Sequence, residues 1–200
     1  MKRWFLFFGA GMLVWFWARP APSAHWNGSL VPEAPHQSTD SLPSAWDRDG
    51  FKFAPLARFD LRAVVLSRCN YRGGYDGDLV PTDFALGWGC MSDAAVVNQV
   101  RVKQDMRWFF IEWRGEPPAA PGDMMLASAN MHLIPANDTV RRELAGVGRH
   151  EILELSGYLV DVSRSDGWRW TSSTRRDDQG GGACEVVWVE RVRTTAPVRN

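Results

Sequence analysis

An excess of charge of either sign is missing from this chain. Its 200 residues carry 23 Lys and Arg against 23 Asp and Glu, with four His, so the basic footprint of a nucleic-acid binder is absent. Cysteine is scarce: Cys69, Cys90 and Cys184 are the only three. None of their spacings is C-x-x-C and no His lies close to another, which argues against a structural zinc site. The sequence also has no P-loop, dinucleotide fingerprint, HExxH helix or nucleophile elbow. No metal and no cofactor is therefore expected.

What is present begins at the N-terminus. Lys2 and Arg3 precede an unbroken apolar run, Trp4 to Ala18, and then the proline-rich Arg19-Pro20-Ala21-Pro22-Ser23-Ala24. A basic start followed by an apolar block is read by export or insertion machinery. The run is at the upper limit for a signal-peptide core. Its flanks favour a retained anchor: Trp4, Trp15 and Trp17 resemble an interfacial aromatic belt, and Arg19 can snorkel to the headgroups. Lys2 and Arg3 stay inside by the positive-inside rule. The expectation is a single-pass inner-membrane protein, held in the membrane through residues 4–18, with its C-terminal domain in the periplasm. The alternative is a soluble periplasmic form cleaved near Ser23.

The composition divides the chain into residues 1–19 as anchor or signal peptide, 20–50 as a disordered Pro/Ser-rich tether, 51–194 as one β domain, and 195–200 as a disordered tail. Of the 11 Trp, those outside the anchor are spread through predicted strands, where a packed β core is the plainer reading than a carbohydrate or base-stacking platform.

Apolar alternation predicts strands. Phe59, Leu61, Ala63 and Val65 share one face of the first. Val100 and Val102, then Trp108 to Trp113, form a hairpin. Asn137 or Asp138 caps a helix ending near Gly146, and Ser92 or Asp93 caps a short turn through Val97. Leu153, Leu155 and Leu159 share a parity with Gly157, where a bulge would let Tyr158, Val160 and Val162 take over the buried face beyond it. Asp166-Gly167 predicts a two-residue hairpin turn, and Cys184 to Val192 forms the closing strand. This order predicts a mostly β domain: a small Greek-key barrel of the OB type with one short helix, behind the N-terminal transmembrane segment. A β-sandwich is the alternative.

Three segments stand out: Gly87-Trp88-Gly89-Cys90-Met91-Ser92-Asp93, Ser128 to Pro135 (SANMHLIP), and Trp168 to Glu185 (WRWTSSTRRDDQGGGACE). Together they resemble the GWGxMSD, SANMHLIPA and W-x-SSxxRxDxGxGACE motifs of a family of uncharacterised bacterial exported or membrane-anchored proteins. The resemblance spans roughly Asp60 to Val192. It implies placement in the bacterial envelope and no particular activity. Cys90 stands where that family's first motif has Pro.

By chemistry, His132 can act as a general base or ligand, or simply be a histidine bonded within the sheet. Arg175 and Arg176 could hold an anion with help from Ser172 and Ser173, or pair on the surface with Asp177 and Asp178. Asp177-Asp178 before Gly180-Gly181-Gly182 could hold a hard cation, or form a solvated turn. Glu185 is either a buried acid or an outward edge residue. Cys69, Cys90 and Cys184 offer one disulfide in an oxidising compartment, with three pairings open. The candidate binding residues are thus His132, Asp93, Ser172, Ser173, Arg175, Asp177 and Glu185. The expected role is non-catalytic, the β domain binding an envelope protein partner or a small ligand. The rival is a small hydrolase with His132 as base, Asp93 or Asp177 orienting it, and Arg175 stabilising an anion.

Overall fold

The computed structural model describes residues 26, 28, 30–175, 177–178 and 183–195. The apolar run at residues 4–18 and most of the expected tail lie outside these. Among the described residues no helix is long and apolar enough to cross a membrane.

The chain is mostly β. In order, β1 (His36–Ser38), β2 (Trp46–Arg48) and β3 (Phe51–Asn70) are followed by α1 (Gly74–Leu79) and β4 (Thr82–Gly87). A 3-10 turn (Gly89–Ser92) and α2 (Ala94–Val97) lead to β5 (Val100–Asp105) and β6 (Trp108–Trp113). Next come α3 (Pro121–Leu126), β7 (Ser128–Pro135), α4 (Asp138–Gly146), β8 (Ile152–Arg164), β9 (Arg169–Thr171) and β10 (Glu185–Thr195). Several short helices replace the single one expected. Polar side chains start two of them: Asp93 accepts from the Ala95 N–H at 2.8 Å, and Asn137 accepts from the Val140 N–H at 3.0 Å.

Strand β3 organises the sheet. Its first two thirds pair antiparallel with β8 and its last third with β4. From there β4 pairs with β7, β7 runs parallel to β10, and β10 returns antiparallel to β8, so the pairings form a ring. β3 shifts register twice, against β8 between Pro55 and Ala57 and against β4 between Val65 and Ser67. Each shift adds an unpaired residue and bends the strand.

The first shift also reverses which face is apolar. Beyond it, Ala57, Phe59, Leu61 and Ala63 join the larger core with Leu155, Leu159, Val187 and Val189. Before it, Phe51 and Phe53 join a second cluster with Val160, Val162 and Trp188. Both faces of β8 are therefore buried, as a change of side at Gly157 would require. The bulge itself lies elsewhere: β10 shifts register between Val189 and Arg191, opposite Gly157. Gly157 is the close-approach partner, since a Cβ there would overlap the Trp188 carbonyl oxygen.

The disordered tether expected at 20–50 is corrected from residue 26 onward. Trp26 and Val31 are buried in the larger core. The Trp26 indole donates to the Ser92 carbonyl at 2.7 Å, and the Ser92 hydroxyl accepts from the Val31 N–H at 2.8 Å. β1 and β2 then pair with β3. Isolated anchors and three-residue strands produce no apolar period, so pattern reading passes over them.

The Asp166-Gly167 turn is also corrected. Arg164 and Trp168 are bridged by a backbone hydrogen bond, and the Gly167 N–H donates to the Arg164 carbonyl, leaving a three-residue loop. Only Gly167 (φ 92°) has a positive φ there, as in a type I turn followed by a left-handed residue. The β5–β6 hairpin has the two-residue turn instead, with Met106 and Arg107 both at positive φ.

Candidate functional site

The most unusual chemistry lies on β4 and β7. Asp83 pairs opposite His132, which pairs opposite Val186 of β10, so Asp83 and His132 project side by side from one face. Both are buried. His132 Nδ1 lies 3.0 Å from Asp83 Oδ1, and that oxygen also accepts from Arg107 Nη1 at 2.7 Å. His132 was picked out by sequence; Asp83 and Arg107 were not. A carboxylate directly before the apolar run Phe84-Ala85-Leu86 was the available signal for Asp83. Nothing local marks Arg107, because its role arises from the hairpin turn folding back onto the sheet.

Arg107 pins that turn. Its guanidinium donates to the Val80 carbonyl and lies over the Tyr71 ring at 3.6 Å and the Trp170 ring at 5.4 Å. Its backbone N–H donates to the Tyr71 hydroxyl, and its carbonyl accepts from Asn130 Nδ2. Burial pushes the Tyr71 phenol well above its ordinary range, with hydrogen bonding to Cys69 and the nearby Asp83 charge adding to it. The Trp170 ring lies 4.7 Å from the His132 ring, tilted at 47° to it. Arg107, Trp108, His132, Arg169, Trp170, Thr171 and Cys184 line a cleft of about 330 Å³.

A second cleft, of about 380 Å³, adjoins it and shares Trp108 and Cys184. Its apolar wall includes Trp88, Phe109, Met125 and Leu126, and its polar rim includes Arg175, Asp177, Asp178 and Glu185. Glu185 pairs opposite Met131, one position from His132, so alternation sends the two side chains to opposite faces. Glu185 is buried rather than an outward edge residue.

The remaining sequence-selected residues do not converge on His132. Arg175 is exposed and holds Asp177 through two 2.9 Å hydrogen bonds, each charge favouring the ionised form of the other. Both belong to the second cleft. Asp93 caps α2 and lines neither cleft. Ser172 and Ser173 are buried and fold their own loop: Ser172 accepts from the Val186 N–H and Ser173 donates to Asp178. Both hydroxyls fasten this loop. Arg176 and Gly180 to Gly182 lie outside the described residues. Among the described residues, no group of three or more His, Cys, Asp or Glu is arranged to hold a metal.

The disulfide expectation is also corrected, since all three cysteines are free. Cys69 pairs opposite Asp83, which leads through His132 to β10. Three strand spacings, roughly 14 Å, separate Cys69 from the strand that Cys184 precedes, whereas a bridge needs Cα atoms within about 7 Å. Cys90 sits in the 3-10 turn. Burial, then the Glu185, Asp83 and Asp178 carboxylates, pushes the Cys184 thiol up to about 12. It is therefore a neutral thiol at physiological pH and offers no thiolate beside His132.

Comparison with protein-family models, curated proteins and solved structures finds no match to this chain.

Proposed function

We propose that this protein is a membrane-tethered envelope protein whose extracytoplasmic β domain binds a small ligand or a partner protein without catalysis. In this reading residues 4–18 anchor it in the inner membrane and the domain works in the periplasm. The domain is read as an OB-type Greek-key barrel. Taking β3, β4, β7, β8 and β10 as its five strands, support comes from the neighbour order first-second-third-fifth-fourth and back to the first, with the third and fifth parallel. The helix α4 between the third and fourth strands adds to it.

The observation that carries the binding reading is the pair of adjoining clefts meeting at Trp108 and Cys184. They combine aromatic walls with a few fixed polar groups, the ordinary makeup of a ligand site. Crosslinking in intact cells followed by affinity purification of the full chain tests this. Wild type should retain a molecule or partner that a Trp108→Ala, Trp170→Ala variant of equal abundance loses. Equal recovery from both would overturn the assignment to these clefts.

One observation favours a second reading, a small hydrolase. The Asp83 carboxylate lies 3.0 Å from His132 Nδ1, near enough to take the part of an acid that orients a general base. In that reading Asp83 takes the part first given to Asp93 or Asp177, and Arg175 has no part. Turnover of an ester or amide panel that disappears in His132→Ala would favour it over pure binding.

A further inference from the structure

The large apolar side chains left exposed among the described residues are not scattered. Met106 (74%), Trp108 (43%), Phe110 (52%) and Trp113 (36%) lie on the β5–β6 hairpin, and Met125 (39%) and Leu126 (50%) on neighbouring α3. The remaining one, Leu30, belongs to the segment by which the chain joins the domain. Trp108, Met125 and Leu126 line one cleft, so the start of β6 and the helix border the same opening. The hairpin is a separate two-stranded sheet. Its buried positions Val100 and Val102 hold it to the core while Trp108 and Phe110 alternate to the outside. Such concentration on one element marks a surface that another phase or molecule covers.

The path of the chain indicates which. The Trp26 backbone N–H donates to Asn98 Oδ1 at 2.7 Å, and the Asn98 side chain donates back to the Trp26 carbonyl. Asn98 is two residues before Val100, which opens the hairpin and pairs with Trp113 at its base. The chain therefore reaches the domain beside the hairpin's base. Between the apolar run ending at Ala18 and Trp26, whatever its conformation, it spans at most roughly 28 Å. The hairpin strands are themselves about 20 Å long. Folding of residues 26 onward onto the domain thus replaces a long, free tether with a short one. It holds the aromatic hairpin within reach of the bilayer surface. Trp and Phe beside cationic side chains suit that surface, and Arg101 and Arg114 are exposed at the same base. Glu112, exposed between them, is paired with Lys103 at 2.6 Å.

We infer that the β5–β6 hairpin and α3 rest on the phospholipid bilayer, Trp108 and Phe110 at headgroup level, so that the domain lies on the membrane with its clefts oriented by it. This rests on the anchored reading above. The test uses the full chain in nanodiscs of phosphatidylethanolamine and phosphatidylglycerol and, for comparison, in amphipol. Amide hydrogen exchange across residues 106–114 should be slower in the discs by about tenfold or more, while exchange in α4 is the same in both. Trp108→Ser, Phe110→Ser should abolish the difference while leaving the thermal melt unchanged. Equal exchange in discs and amphipol, with the chain eluting on the discs, would overturn the hairpin assignment and leave the anchor standing. Protection that appears in both and grows with protein concentration would assign the face to a second copy instead. A chain that does not co-elute with the discs would overturn both readings.

Discussion

Asp83 of β4 and His132 of β7 face each other at 3.0 Å on a carboxylate oxygen that Arg107 also occupies at 2.7 Å. The consequence is energetic. Asp83 is fully buried, and Arg107 has little contact with water, its side chain being 19% exposed. Removing the carboxylate leaves a largely desolvated guanidinium without its counter-charge, an unpairing that costs about 3 to 5 kcal/mol in buried pairs. Asp83→Ala should therefore lower the urea midpoint by about 3 kcal/mol of stability, at the low end because Arg107 retains the Val80 carbonyl. A double-mutant cycle with Arg107→Ala should give a coupling above about 1 kcal/mol. Additive losses would mean that Asp83 acts through His132 alone.

A second prediction follows from Cys184. Its folded-state thiol is raised to about 12, chiefly by burial, from an ordinary value of 9.0. Below pH 9 folded and unfolded chains both keep the proton, and the thiol exerts no pH dependence. As pH rises from 9 towards 12 only the unfolded chain loses it, so stability falls across that window and levels beyond it. The Tyr71 phenol, also raised, adds a similar decline from about pH 10 upward. Denaturation midpoints measured from pH 8 to 11 should therefore slope downward, and Cys184→Ala should flatten the part beginning near pH 9. An unchanged slope would show that the thiol ionises freely in the folded state. Reducing agent should leave the wild-type midpoint where it is, because no disulfide is present.

What pattern reading could and could not reach is clear from particular residues. The β5–β6 hairpin, the Asn137 and Asp93 caps and the closing strand were legible because each leaves a local trace: a period of two, a capping oxygen, a β-branched run. The first strand was legible only from Phe59 to Val65, since Pro55 and the two register shifts break the period that β3 continues through. Trp26 and Val31 were illegible because each is a single anchor whose partner, Ser92, lies more than sixty residues away. The site divided the same way. His132 drew attention as an uncommon residue type, while Asp83 and Arg107 become a cluster only through strand register and the folding back of a turn. Ser172 and Ser173 looked like ligand donors because composition cannot reveal that their hydroxyls are already committed to the loop.

The Trp26 anchor yields a third prediction. The indole is 1% exposed within the larger core and donates to a buried carbonyl. Trp26→Ala removes the ring's packing and leaves the Ser92 carbonyl without that donor, a loss of about 3 to 5 kcal/mol. Urea denaturation of the full chain should register it, and limited proteolysis should open new cuts between residues 26 and 45. A neutral result would return this segment to the role of a loose tether.

The last prediction sets two glycines against each other, because glycine is required at each for a different reason. Gly157 has no positive φ, but its missing side chain is where the Trp188 carbonyl of β10 approaches at the register shift. A methyl group there can be accommodated only by moving β10 away from β8, and both strands carry core residues on each face. Gly157→Ala should therefore cost at least about 3 kcal/mol, the upper range for overpacking. Gly167 is the reverse case: nothing lies within 4 Å of a Cβ placed there, but its φ is 92°. Gly167→Ala should cost only about 1 kcal/mol for the left-handed backbone, and Gly167→Val somewhat more because a β-branched residue tolerates positive φ least. Gly167→Asn should recover much of the loss, since Asn visits that region readily, and it has no reason to rescue position 157. Measured denaturation midpoints in the order wild type, Gly167→Asn, Gly167→Ala, Gly167→Val, Gly157→Ala check both claims together. Should Gly157→Ala prove as mild as Gly167→Ala, the close approach of β10 to β8 is wrong, and with it the register shift that turns β10 past Gly157.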